Sequence, residues 1–179
     1  MGSIHGSSNH RRGTPRAPAR PLYTPQERAR RDASGWTLVQ GVLAPVQFVV
    51  FLVSLGLVLH YLANGEGLAA ATGSVVIKTL TLYIIMVTGC IWEKVVFGRY
   101  LFAPAFYWED VFSMLVLALH TAYLVALLGN WLSPRALMLL ALAAYAAYLI
   151  NATQFILKLR AARLGQAQAA REDSAGLAT

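Results

Sequence analysis

Between Asp32 and Glu66 the chain carries no lysine, arginine, aspartate or glutamate. Trp36 to Leu62 within it is longer than the ~20 residues an α-helix needs to cross a ~30 Å hydrocarbon core. Water is absent there, so each backbone N–H and C=O must be satisfied inside the segment, and a helix does that. Three more stretches follow the same rule: Val75 to Trp92, Val111 to Leu132 and Ala136 to Leu157. The reading is an all-α integral membrane four-helix bundle, a single four-span domain over residues 22–164. ANGEGLAAATG (63–73) supplies the first turn, and Ser133-Pro134 marks a tight turn with a proline-led helix start. Pro45 kinks the first span, a defect that membrane helices tolerate. Only 13% of the residues are charged, about half the ~25% of a soluble domain.

Charge sets the orientation. The net charge of +7 is concentrated near the start, where Arg11, Arg12, Arg16, Arg20, Arg28, Arg30 and Arg31 outnumber Glu27 and Asp32. Residues 1–21, rich in Pro, Gly, Ser and Arg, read as a disordered basic tail without the apolar run of a cleavable signal peptide. Lys94 and Arg99 in the middle loop, and Lys158, Arg160, Arg163 and Arg171 in the tail of residues 165–179 and just before it, fall on the same side of a four-span bundle. That side is expected to be cytoplasmic, with both termini on it. A basic tail beside a membrane meets anionic headgroups rather than nucleic acid. Lys78, a turn inside its helix on the opposite side, would snorkel outwards. Cys90 is the sole cysteine, so no intramolecular disulfide forms.

The polar residues of the spans collect in the half nearest that side. Gln40 and Gln47 are one heptad apart on the first helix and share a face. Glu93 ends the second. Glu109, Ser113 and His120 share a face of the third, His120 lying ~16 Å below Glu109 on the helical rise. Tyr148, Asn151 and Gln154 follow at steps of three on the fourth. Such groups turn inward or line a cavity, which predicts a polar pocket open to the cytoplasmic side; singly, each can also just hold helices together. In FGRYLFAPAFYWEDVF (97–112), Glu109 and Asp110 stand side by side after an aromatic loop. They would cap a helix, or, shielded and with a like-charged neighbour, hold a proton at neutral pH as an acid catalyst must. HExxH, CxxC, P-loop and GxSxG motifs are all missing, which leaves other common chemistries without support.

The stretches LYTPQERARRDASGWTLVQGVLAPVQF, TGSVVIKTLTLYIIMVTGCIWEKVVFGRYLFAPAFYWEDVFSMLVLALHTAYL and AYAAYLINATQFILKLRAARL resemble the 3-vinyl bacteriochlorophyllide hydratases of anoxygenic phototrophic bacteria. The resemblance spans about residues 21–164, and IWEKVVFGRYLFAPAFYWEDVFS is its most specific block. It implies a bacterial inner or intracytoplasmic membrane enzyme that adds water to the C3 vinyl group of a magnesium chlorin. The substrate would be chlorophyllide a or 3-vinyl bacteriochlorophyllide a, and the product carries a 1-hydroxyethyl group.

The resemblance brings no catalytic residue map, so the residues must supply one. Hydrating a vinyl group takes a proton donor for its terminal carbon and an acceptor to aim water at the adjacent carbon. Glu109 is expected as the acid and Asp110 as the residue that orients water, with Glu93 the first substitute for either. An anionic environment would also stabilise the developing cation. His120 would ligate the substrate's magnesium or hold a water. Trp92, Phe106, Tyr107 and Trp108 would pack on the ring, with Asn151 and Gln47 as further polar contacts. Arg99 or Lys94 would pair with its propionate. No cofactor is expected, water being the co-substrate, and no metal site beyond the substrate's own magnesium. Lipid, other pigment-biosynthesis enzymes and a second copy of the chain are the expected partners. Two other readings stand beside the hydratase: a non-catalytic chlorin-binding or photosystem assembly protein, and a small transporter subunit or scaffold.

Overall fold

The computed structural model describes residues 22–176, so the tail reading of residues 1–21 lies outside the described residues. Five helices follow in order: α1 (Pro25–Ala33), α2 (Gly35–Asn64), α3 (Leu68–Phe97), α4 (Tyr107–Leu128) and α5 (Pro134–Gly176). The last four are each long and apolar enough to cross a membrane.

α1 starts with a reciprocal cap: the Glu27 backbone N–H donates to the Thr24 hydroxyl, and the Thr24 N–H donates to the Glu27 carboxylate at 2.8 Å. Nine residues are too few for a free helix, so α1 depends on docking against α3. Ser34 ends α1 and caps α2. α2 runs through Pro45 without a break and stops at Gly65, whose φ of 77° only glycine adopts freely.

The turn that follows is far shorter than residues 63–73. Only Gly65, Glu66 and Gly67 separate α2 from α3, because the alanine-rich Leu68–Gly73 is itself helical. α3 also outlasts Trp92, reaching Phe97, and α4 begins at Tyr107 and ends at Leu128, four residues earlier at each end than the sequence reading. α5 extends well past Leu157, since residues 158–176 are mostly strong helix formers with no proline to stop them.

α2 packs chiefly on α3, and α4 on α5, giving two helical hairpins with sparser contact between them. One end of the bundle is filled by Phe51, Val58, Val75, Tyr123, Met138 and Tyr145. There Ala141 and Ala144, both fully buried, let α5 approach closely. The other end is filled by Tyr23, Val96 and Phe106, with Trp92, Phe97 and Phe155 against them. Leu82, Val116 and Ala147 form a thinner layer between. Outward-facing apolar residues such as Leu38, Val49, Val53, Ile77, Val87 and Leu128 are more than half exposed, as expected of a surface meant for lipid.

Candidate functional site

Above the Leu82–Val116 layer the hairpins enclose a cavity of about 930 Å³, at the upper end of the size range of small-molecule sites. All five helices reach it. α2 contributes Gly41, Ala44 and Pro45, α3 contributes Gly89 and Cys90, and α5 contributes Ala152 and Phe155. These small and apolar residues make walls that suit a flat apolar ligand. Phe48 and Ile156 line the cavity yet are 41% and 64% exposed, so it opens sideways between α2 and α5.

Two carboxyls stand together on the wall that α3 and α4 contribute. Glu93 and Asp110 both line the cavity, and their side chains adjoin. The loop between α3 and α4 bears on both: the Phe102 N–H donates to Asp110 Oδ2 at 2.7 Å, and the Ala103 backbone lies beside Glu93. Phe102 turns its N–H inward from a left-handed conformation (φ 58°). Glu93 Oε2 is buried without a partner. The aromatic loop therefore holds Asp110 through its backbone as well as shielding the pair.

Glu109 is placed differently. It is buried, but its Oε2 lies 2.6 Å from Lys158 Nζ in an ion pair between α4 and α5, and it is not among the cavity-lining residues. Trp92 lines the cavity and donates through its indole N–H to Thr37 at 3.0 Å, and Phe106 joins it. Tyr107 and Trp108 pack on each other and face outward, 47% and 66% exposed. Arg99 is exposed in the loop, and Lys94 bonds the Gly98 carbonyl at 3.0 Å.

Asn151 and Gln47 line the cavity wall. The Asn151 amide N–H donates to Ser113 Oγ at 2.8 Å while its Oδ1 has no partner, and neither amide atom of Gln47 has one. Gln40 is tied to Thr88 at 2.8 Å. His120 lies below the floor, fully buried: its Nδ1 donates to the Val116 carbonyl and its Nε2 accepts from Lys78 Nζ, both at 2.7 Å. Lys78 therefore does not snorkel. It turns inward with no exposure, its Nζ 4.2 Å from the Tyr148 ring centroid, because His120 and the aromatic faces hold it.

The sequence reading missed the mouth. Tyr23 just before α1, Arg31 and Asp32 of α1, and Arg163 and Gln166 of α5 line it. The Thr24–Glu27 capping signature was the available sign of α1. Burial among Phe97 and Phe106 pushes the Tyr23 hydroxyl above its usual range, so it serves as a neutral ring at this rim. Arg31 stacks over it at 4.7 Å and pairs with Asp32 at 2.7 Å.

No solved structure matches the chain. The family model described as 2-vinyl bacteriochlorophyllide hydratase matches residues 23–161, a range that contains α1, the spans and nearly the whole cavity lining. A protein of Cereibacter sphaeroides named 2-vinyl bacteriochlorophyllide hydratase is 68% identical over 152 residues, covering 84% of this chain and 94% of its own length. One of the same name from Rhodobacter capsulatus is 63% identical over 165 residues, covering 92% of this chain and 94% of its own. These names count the vinyl position as 2 where the resemblance above counts it as 3, a minor difference of wording. The chain belongs to the 2-vinyl bacteriochlorophyllide hydratase family.

Proposed function

We propose that the cavity between the two hairpins is where this chain, a hydro-lyase of bacteriochlorophyll biosynthesis, adds water to the vinyl group of a bacteriochlorophyllide. The observation that carries the site is the adjoining Glu93–Asp110 pair on the α3–α4 wall of a largely apolar cavity. Glu93, whose Oε2 has no donor, gives its proton to the terminal vinyl carbon. The π pair forms the new C–H bond, and the cation left on the adjacent carbon is delocalised into the macrocycle. Asp110, an anion steadied by the Phe102 N–H, aims a water at that carbon and takes its proton. Transfer of one proton back to Glu93 resets the site. The sum is one water across one double bond, with no net redox change, so the reaction requires no electron carrier and we assign no cofactor.

The flat walls of α2 and α3 take the ring face, and Trp92 and Phe106 close on its edge. Arg163 and Arg31 at the mouth, rather than the exposed Arg99, receive the substrate carboxylate. The pigment arrives from lipid through the α2–α5 opening. The basic end of the bundle, with Arg28, Arg30, Lys94, Arg99, Lys158 and Arg160, faces the cytoplasm, which puts the cavity mouth in the inner leaflet of the inner or intracytoplasmic membrane.

The test is product formation from the vinyl pigment by purified variants. Glu93→Gln and Asp110→Asn are each expected to lower the rate by ~10²-fold or more, the lower range for a lost acid or base. Wild-type rates in both, at equal protein, would remove the pair from the chemistry.

A further inference from the structure

The cavity has a second polar locus that the vinyl chemistry does not use. Gln47 is 2% exposed, lines the cavity, and has no hydrogen-bond partner for either its amide oxygen or its amide nitrogen. Leaving a buried amide unpaired is costly, and nearby polar side chains offer it no relief. Gln40, one heptad away on the same face, is engaged with Thr88.

Its height follows from a contact deeper in the bundle. Ser54 on α2 bonds Tyr145 on the antiparallel α5. One heptad back from Ser54 is Gln47, and six residues on from Tyr145 is Asn151, so both amides stand about 10 Å above that contact on the helical rise. Between Gln47 and the mouth, α2 also lines the cavity with Gly41, Ala44 and Pro45, which lie round the helix from Gln47. A planar ring can rest against these small residues, with the Gln47 side chain reaching it from the adjoining stripe of α2. Pro45, having no N–H, also leaves the Gly41 carbonyl without its usual i+4 donor.

A magnesium tetrapyrrole has one strongly electrophilic point on its face, the metal, which its four nitrogens leave short of an axial ligand. Magnesium prefers oxygen. His120, the imidazole of the spans nearest this level, has both nitrogens engaged below the floor. We infer that the Gln47 side-chain oxygen is the axial ligand of the substrate's magnesium, an assignment that rests on the cavity being the pigment site. Holding the metal at this height fixes the ring in its own plane. Asp110 lies three residues, ~4.5 Å of rise, beyond Ser113, which is tied to Asn151 at this level, so the ring periphery is carried to the carboxyl pair.

The test compares two ligands on the full detergent-solubilised chain: the magnesium vinyl pigment and the same pigment with two protons in place of the metal. Dissociation constants come from fluorescence titration. Wild type is expected to prefer the magnesium form by about tenfold or more, the ratio equivalent to ~1.4 kcal/mol. Gln47→Leu should bring that ratio close to one by weakening only the magnesium form. Gln47→His should restore it and shift the bound pigment's absorption as nitrogen replaces oxygen, which also covers a Leu variant that fails to fold. Equal weakening of both pigments, or a ratio that survives Gln47→Leu and disappears in Asn151→Leu, overturns the assignment. Product formation by the wild type is scored in the same preparation. A metal-dependent ratio without product defeats the site's chemistry and leaves the ligand standing, whereas product without the ratio does the reverse.

Discussion

Three acids near one end of the bundle have three different surroundings. Glu109 faces Lys158 across the α4–α5 contact, Asp110 accepts a loop N–H, and Glu93 keeps one oxygen without a partner. Neighbouring residues of a helix point ~100° apart, so the rotation of the first turn of α4 decides which of Glu109 and Asp110 sees the cavity. The sequence offers the adjacent pair but not that rotation, so an order that puts Glu109 first as the acid could not take account of its turning to Lys158. Glu109→Gln leaves Lys158 without its anion. The expected loss is ~1–3 kcal/mol, below the ~3–5 of a fully buried pair because the Lys158 side chain keeps 29% exposure. A thermal melt in detergent should fall for this variant while hydroxyethyl product still forms. Unchanged melting with abolished product would return the acid role to Glu109.

At the scale of elements, the part hardest to read was α1. Its nine residues have a mean composition too polar to suggest a packed element, and only the Thr24–Glu27 spacing hints at a start. What holds it is tertiary: Tyr23 stacks on Phe97 at 5.8 Å, Arg30 donates to the Val96 carbonyl, and Arg31 covers the Tyr23 ring. Tyr23→Ala should therefore release the whole element. Hydrogen exchange in residues 25–33 is expected to rise towards the rate of an unstructured peptide while the spans keep their protection. The KM for the pigment should rise several-fold as Arg31 leaves the mouth. The spans themselves were plain in the sequence because hydrocarbon thickness dictates their length, yet several ends moved: Leu68–Gly73 carried α3 past the apolar run, while α4 stops at Leu128 ahead of Gly129. The same effect hid Arg163, which a reading that stops the last helix at Leu157 assigns to a tail.

For the whole molecule, the proposed orientation of four spans is expected to leave Leu22 and Gly176 on the same, cytoplasmic side. With Cys90 replaced by serine, a cysteine at Ala167 should react with an impermeant maleimide only from the cytoplasmic face. One at Ser133, between α4 and α5, should react only from the opposite face. Labelling of both from one side would break the four-span topology. Cys90 itself lines the cavity, so in the unmodified chain bound pigment should slow its alkylation. The division into two hairpins, visible in the packing, has a bearing on how the protein is made. Lys78 sits well inside α3, and a lysine near the centre of a lone helix disfavours translocon insertion by ~2.5–3.5 kcal/mol. The groups that accept it, His120 and the Tyr148 ring, belong to helices synthesised afterwards. The first hairpin therefore reaches its final packing only after the second has been made, so assembly of the bundle ties α3 to helices that leave the ribosome later.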